Sequence, residues 1–299
     1  MKKILLIFPV VFIFSSFLFS FDYRGAITVD GLKRDYKVHV PDIYNPAKAV
    51  PLIVALHGGG GRIESMEWLT NFNKLSETEG VIVVYPAGFL KQWNDGRAVE
   101  KIEAQKRELD DVGFILMVID EVSVKYSIDK KRIYATGISN GGFMCQRLAC
   151  DAPERFAAIA PVSASIPEKL SGKAGEKGKI PVMLIHGTGD PLVPYSGGAV
   201  KIGRQERGFV LSAPDTAKLW AKMDGCIRTK SETITGDMNT VCDYYEGRDG
   251  MEVVFCTVMG GGHSWPGGPQ YLPDWIVGKS CRDFKATQFI WDFFKRHSR

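Results

Sequence analysis

Five apolar runs alternate along the chain with segments of helical periodicity, and this alternation leaves few architectures open. The runs are Leu52-Ile53-Val54-Ala55-Leu56, Val81-Ile82-Val83-Val84-Tyr85, Ile133-Tyr134-Ala135-Thr136, Ala157-Ala158-Ile159-Ala160-Pro161-Val162 and Val182-Met183-Leu184-Ile185. None alternates apolar with polar residues, as a strand with one face in water would. Helices are expected over Glu67 to Glu79, over Asp110 to Tyr126, after Ser139, over residues 213–223 and over Ala286 to Lys295. Strands buried on both faces and joined through helices imply an α/β fold, a mostly parallel central sheet with helices on both faces. At 299 residues and 45% hydrophobic content, the chain suits one large core, expected as a single catalytic domain over residues 21–299. Two hairpins are expected besides. Ala26 to Val29 and Tyr36 to Val40 flank Asp30-Gly31, and residues 240–245 and 251–258 flank Gly247-Arg248-Asp249-Gly250.

The first twenty residues differ in character. Lys2 and Lys3 precede an almost unbroken apolar stretch from Ile4 to Phe19, with Ser15, Ser16 and Ser20 as small residues for cleavage. That pattern is a secretory signal over residues 1–20, preferred here to a retained N-terminal membrane anchor. The segment holds no cysteine, which argues against a lipid-anchored lipoprotein. An extracellular or periplasmic destination permits disulfides, and the chain has six cysteines. Cys242 and Cys256 come close to facing one another across the second hairpin, and Cys226 and Cys281 are the other candidates for bridging. Cys145 and Cys150, on one helix but pointing in different directions, read as small core residues. The formal charge of +4 falls to about +2 without Lys2 and Lys3, and the basic residues are scattered. Neither nucleic acid nor an acidic membrane is an expected partner.

The chemistry gathers at the carboxyl ends of the expected strands, where ligand crevices of such sheets lie. Gly137-Ile138-Ser139-Asn140-Gly141-Gly142 matches G-x-S-x-G between a strand and a helix. The turn lifts the Ser139 hydroxyl above the sheet beside a helix N-terminus that favours developing negative charge. A serine needs a base, and in this arrangement acid and base follow the nucleophile in chain order. Of His39, His57, His186, His263 and His297, the best placed is His263, in a glycine-rich loop directly after an apolar strand. Asp190 closes His186-Gly187-Thr188-Gly189-Asp190, the loop expected to supply the acid, although a turn residue before Pro191 needs no catalytic role. The loop His57-Gly58-Gly59-Gly60-Gly61 follows the first buried strand. It offers the Gly59 N–H, together with that of Asn140, as an oxyanion hole. His57 itself reads as a support of that loop. A phosphate-binding glycine loop would continue Gly-Lys-Ser/Thr, whereas Arg62-Ile63-Glu64 follows here. Trp93 and Trp265, both in loops, are candidate pocket walls for substrate or, equally, packed core aromatics. No His/Cys/Asp cluster has metal-ligand spacing, so neither metal nor cofactor is expected.

Taken together, these residues resemble the polyhydroxybutyrate depolymerase and feruloyl esterase group (LpqC-like) of the α/β-hydrolase superfamily. The similarity rests on Leu56-His57-Gly58-Gly59-Gly60, Tyr85-Pro86-Ala87-Gly88, Gln92-Trp93-Asn94-Asp95-Gly96, the Ser139 turn, His186 to Asp190 with Val193-Pro194-Tyr195, and Gly261-Gly262-His263-Ser264-Trp265-Pro266-Gly267. It implies the α/β-hydrolase fold, a triad at Ser139, Asp190 and His263, and hydrolysis of carboxylic esters. The implied substrates are hydroxyalkanoate oligomers, feruloylated or acetylated plant polysaccharide, and related small esters. Soluble oligomers are expected over solid polymer, because no linker and substrate-binding domain follow the last helix. Peptidase or amidase action uses the same triad, and a non-catalytic surface-binding protein on this scaffold is the alternative from another class.

Overall fold

A computed structural model describes residues 21–299, so the expected signal segment lies outside the described residues. In chain order the first strands are β1 (Phe21–Val29), β2 (Leu32–Val40), β3 (Val50–Leu56), β4 (Ile82–Pro86), β5 (Ile128–Ile138) and β6 (Ala158–Val162). They are followed by β7 (Val182–Gly187), β8 (Gly198–Ile202), β9 (Gln205–Val210), β10 (Ile227–Ile234), β11 (Thr240–Glu246) and β12 (Glu252–Val258). Ten strands form one sheet in the order β1-β2-β4-β3-β5-β6-β7-β12-β11-β10. The run from β4 to β12 in that order is parallel throughout. Both flanks are antiparallel.

The longer helices are α1 (Ile63–Thr70), α2 (Phe72–Glu79), α3 (Asp111–Lys125), α4 (Asn140–Asp151), α5 (Ala213–Asp224) and α6 (Ala286–Phe294). Successive side chains of β3 point to opposite faces of the sheet. Leu52, Val54 and Leu56 join a core with Phe114 of α3, Leu148 of α4 and Trp220 of α5. Ile53 and Ala55 join a second core with Met66 of α1, Phe72 of α2 and Phe294 of α6. A strand greased on both faces has no need of a polar alternate, which is why its sequence lacks one. From β3 the chain moves to β4 on one side, then crosses back to β5 on the other. The loops leaving β3 and β5 therefore diverge and open a crevice between their carboxyl ends.

The structure departs from the expectations at one helix and adds strands to them. The helix expected over Glu67 to Glu79 is two helices, broken at Asn71, which adopts φ 54° and caps α1 with its N–H on Glu67 O. Asparagine tolerates this left-handed conformation better than most residues, so the chain turns without a glycine. The second hairpin joins the main sheet, where β12 pairs with β7 and completes the parallel set. The exposed, mostly polar β10 and the small β8–β9 hairpin went unforeseen, since neither carries a buried apolar run. The first hairpin turns as expected on Asp30 and Gly31, both at positive φ (51° and 74°).

Cys242 and Cys256 face one another in the β11–β12 register and form a disulfide, with Cα atoms 4.1 Å apart. Cys226 and Cys281, the other candidates for bridging, are free and buried: Cys281 Sγ lies 3.3 Å from Asp237 Oδ1, and Cys226 packs against Gly247. Cys145 and Cys150 are free within the core.

Two stability measurements follow from this interior. Loss of a cross-link closing a 14-residue separation should cost about 3 kcal/mol. Urea melts of Cys242→Ala/Cys256→Ala should show that loss, and an unchanged midpoint would mean the bridge constrains nothing. Asp224 is buried at the end of α5; its Oδ1 accepts from Ile180 N at 3.2 Å, and burial pushes its carboxyl up to about 7. Between about pH 4, where an unfolded aspartate titrates, and that higher value, the native state keeps a proton that the unfolded chain has released. This contribution is therefore present in acid and is lost as pH rises through that window, at a rate of no more than roughly 1.4 kcal/mol for each tenfold drop in proton concentration. Asp224→Asn should narrow the fall in melting temperature between pH 5 and pH 8, and parallel curves for the two proteins would contradict it.

Candidate active site

Ser139 sits at the tip of the turn from β5 into α4, at φ 56° and ψ −120°, a conformation that side chains rarely adopt. Backbone crowding imposes it. A Cβ on Gly141 would lie 2.2 Å from Leu56 O, and one on Gly137 would lie 2.7 Å from the same oxygen. Only glycine lets β3, β5 and the first turn of α4 come this close. The Ser139 N–H is tied to Val162 O at 3.0 Å, and its carbonyl accepts from Phe143 N at 2.8 Å.

Asp190 and His263 come from adjacent strand ends. The loops after β7 and β12 meet backbone to backbone, with Thr188 N on Val258 O at 3.0 Å and Gly189 N on Gly261 O at 2.9 Å. A Cβ on Gly187 would lie 2.1 Å from Gly261 O, and one on Gly262 would lie 2.2 Å from Val277 O. The glycine-rich His263 loop looks flexible in sequence, yet it is clamped: Tyr271 Oη donates to His263 O at 3.0 Å, and the His263 N–H donates to Val277 O. The imidazole is buried, with Nδ1 2.7 Å from Asp190 Oδ2.

Asp190 Oδ1 accepts from Leu192 N at 2.9 Å and from Val193 N at 2.8 Å, while His186 Nε2 lies 3.5 Å from Oδ2. Burial opposes its charge, but the two imidazoles outweigh that cost and hold the carboxyl well below the usual carboxylate range. His186 Nε2 also points at Val193 O at 3.0 Å, so this second histidine braces the acid's loop.

Ser139, Asn140, His263 and the loop His57 to Gly61 border one cavity of about 830 Å³. Among the described residues no hydrogen bond joins the Ser139 hydroxyl to the imidazole; such bonds in empty sites commonly tighten only around substrate. The Gly59 and Asn140 N–H groups donate to no protein acceptor among the described residues, whereas Gly60 N is committed to Lys91 O and Gly61 N to Gly58 O.

The loop is held from behind. His57 Nδ1 lies 2.8 Å from Gly58 O, and its Nε2 accepts from Gly88 N at 2.9 Å. Burial pushes this imidazole down to about 4, so it stays neutral and structural. The other histidines are engaged elsewhere: His39 lies between Asp22 and Glu77, and His297 lies against Glu252.

The tryptophan expectation needs correction. Trp93 is wholly buried; its indole N–H donates to His57 O at 2.9 Å and its backbone N–H to Asn140 Oδ1 at 2.8 Å. Trp265 is equally buried, with Nε1 donating to Thr287 Oγ1 at 2.9 Å. Neither borders the cavity, because each indole has an interior partner for its single donor and an apolar body suited to the core. The aromatic wall is made instead by Trp68 of α1 and by Trp275, which are 56% and 83% exposed. Trp68 carries a sequence signal: it lies out of phase with the buried stripe Ile63, Met66, Leu69 of its own helix. Among the described residues no group of three or more metal-ligating side chains converges.

Residues 41–201 match the family model described as phospholipase/carboxylesterase. The putative esterase NocK of Nocardia uniformis subsp. tsuyamanensis is 30% identical over 89% of this chain and 80% of its own length. Feruloyl esterase B of Piromyces equi is 30% identical over 76% of this chain, which spans only 42% of that protein. An acetyl xylan esterase from Aspergillus awamori superposes with a TM-score of 0.62 at 17% identity, over 92% of this chain and 99% of its own, a likeness of fold. A family match across more than half of the sequence, on a sheet whose strand ends carry this serine turn, places the chain in the phospholipase/carboxylesterase family as a carboxylic ester hydrolase of the α/β-hydrolase fold.

Proposed function

We propose that this esterase works by two-step acyl transfer on Ser139, with His263 as base and Asp190 as the supporting acid. The observation that carries the reading is the 2.7 Å contact of His263 Nδ1 with a buried carboxylate, beside the cavity that Ser139 enters on a strained turn. The carboxylate fixes the tautomer, leaving Nε2 unprotonated and free to accept the serine proton. Ser139 Oγ then adds to the ester carbonyl, and the new oxyanion takes hydrogen bonds from the Gly59 and Asn140 N–H groups. His263 returns the proton to the leaving alcohol, and the acyl group stays on Oγ. A water gives its proton to His263 and attacks the acyl carbon; the acyl–Oγ bond breaks as His263 passes that proton to Ser139 Oγ, releasing the carboxylic acid with the serine restored.

The substrates proposed are feruloyl or acetyl esters of plant polysaccharide and oligomers of hydroxyalkanoates. Relatives named feruloyl esterase support the first group. A cavity of this size with exposed indoles at its mouth suits an aromatic acyl group or a sugar face. Action outside the cytoplasm is part of the same proposal, supported by the Lys2-Lys3 apolar segment and by the Cys242–Cys256 bridge.

Ser139→Ala should lower turnover of p-nitrophenyl butyrate by about 10⁴-fold or more and abolish labelling by a fluorophosphonate probe. A variant that kept near-full turnover would overturn the assignment. Trp275→Ala should raise KM for methyl ferulate several-fold, up to about tenfold, with a smaller effect on a p-nitrophenyl acetate control. Equal effects on both esters would remove Trp275 from the acyl site.

A further inference from the structure

No aspartate or glutamate borders the cavity in front of Ser139, yet Arg97, Lys201 and Arg207 do. Arg97 is already neutralised, with Nη2 2.7 Å from the buried carboxylate of Asp95. The other two belong to the β8–β9 hairpin, and neither forms an ion pair among the described residues, although Glu206 lies across from Lys201 in register. Arg207 spends one Nη2 hydrogen bond on Gln205 Oε1, at 2.6 Å, and its Nε is buried with no partner. Its Nη1 donates to no protein acceptor among the described residues and is not enclosed as Nε is.

The hairpin that carries these cations is fastened to the catalytic frame on both sides. Lys201 N donates to Leu192 O at 3.0 Å, and the Leu192 N–H in turn binds the Asp190 carboxylate. Arg97 Nη1 donates to Arg207 O at 3.0 Å, and a Cβ on Gly208 would lie 3.1 Å from Arg97 Cβ. The backbone that carries Lys201 and Arg207 is thus fixed beside a cavity that no carboxylate borders.

We propose that Arg207, assisted by Lys201, binds a carboxylate that the substrate carries away from its scissile bond, so that the preferred substrates are ester acids. This rests on the acyl-transfer reading above and narrows it. A guanidinium presents parallel donors that match the two oxygens of a carboxylate, and Arg207 Nη1 is the donor left open for one of them. A hydroxyalkanoate oligomer ends in such a group, and a uronic acid beside an esterified sugar carries one.

Matched esters differing in that charge test the idea, with one arm for each side of the ester bond. p-Nitrophenyl hemiglutarate is compared with p-nitrophenyl valerate for an anionic acyl group, and 4-acetoxybutanoate with 4-acetoxybutanamide for an anionic alcohol. In at least one arm kcat/KM for the charged ester should exceed that of its neutral partner by on the order of tenfold, carried mainly by KM. The preference should shrink in about 1 M NaCl, where charges are screened within about 3 Å. Arg207→Gln should bring the ratio towards one, and Arg207→Lys should restore part of it. Because the ratio is taken within each preparation, partial misfolding of a variant cancels. Neutral esters hydrolysed with no charge preference in either arm, or a preference untouched by Arg207→Gln, would overturn this inference and leave the esterase mechanism standing. No turnover of any of the four esters would overturn both.

Discussion

Leu56 O, Gly137 and Gly141 share a space that would not admit a single methyl group, and the positions of the serine turn and the loop His57 to Gly61 depend on that crowding. Where β3 and β5 end side by side, the carbonyl of one strand faces the glycines of the next. The strain at Ser139, on the order of 1–3 kcal/mol for a residue in such a region, persists because the flanking strands are buried on both faces and cannot yield. The same device recurs at the ends of β7 and β12, where Gly187 and Gly261 bring the acid's loop and the histidine's loop into direct backbone contact. Geometry here comes from backbones that touch; the side chains inherit it.

Behind the cavity a set of buried polar groups completes the frame. Asp111 pairs with Arg34 at 2.6 Å and accepts from Asn94 N at 2.6 Å, and Arg34 also donates to Ala87 O. Asp95 takes hydrogen bonds from Arg97, Gln105 and Asn140. Asn140 thus serves twice: it borders the cavity, and its side chain is tied to the loop of Trp93 and Asp95. Buried ion pairs of this kind add little net stability over apolar replacements, but they are expensive to half-break. Their value here is in holding loop 88–97 against the Ser139 turn at one register.

Much of this was legible in the sequence, and for definite reasons. A strand buried on both faces must be apolar throughout, so β3, β4, β6 and β7 announced themselves, and the Asp30-Gly31 turn fixed the first hairpin. Asp190 and His263 stood out because they end glycine-rich loops at strand ends, and the structure brings the two together. The parts that escaped notice lack a periodic signature. The edge strand β10 and the β8–β9 hairpin are exposed and polar. The break at Asn71 depends on a single backbone conformation rather than on composition. Trp93 and Trp265 misled because a loop address says nothing about which way an indole points, and interior acceptors drew both inward. Trp68 and Trp275 are the opposite case, since only the assembled cavity reveals why large aromatics remain in water.

The β8–β9 hairpin hangs outside the main sheet, between the strand that carries the acid loop and the helix that follows. Its contacts to Leu192 and Arg97 touch the frame without contributing a strand to it. A segment attached in this way can be lengthened, recharged or exchanged in evolution while the sheet and its strand-end loops stay as they are. On the reading that Arg207 meets the substrate, such changes would retune which esters are accepted and leave the strand-end loops untouched.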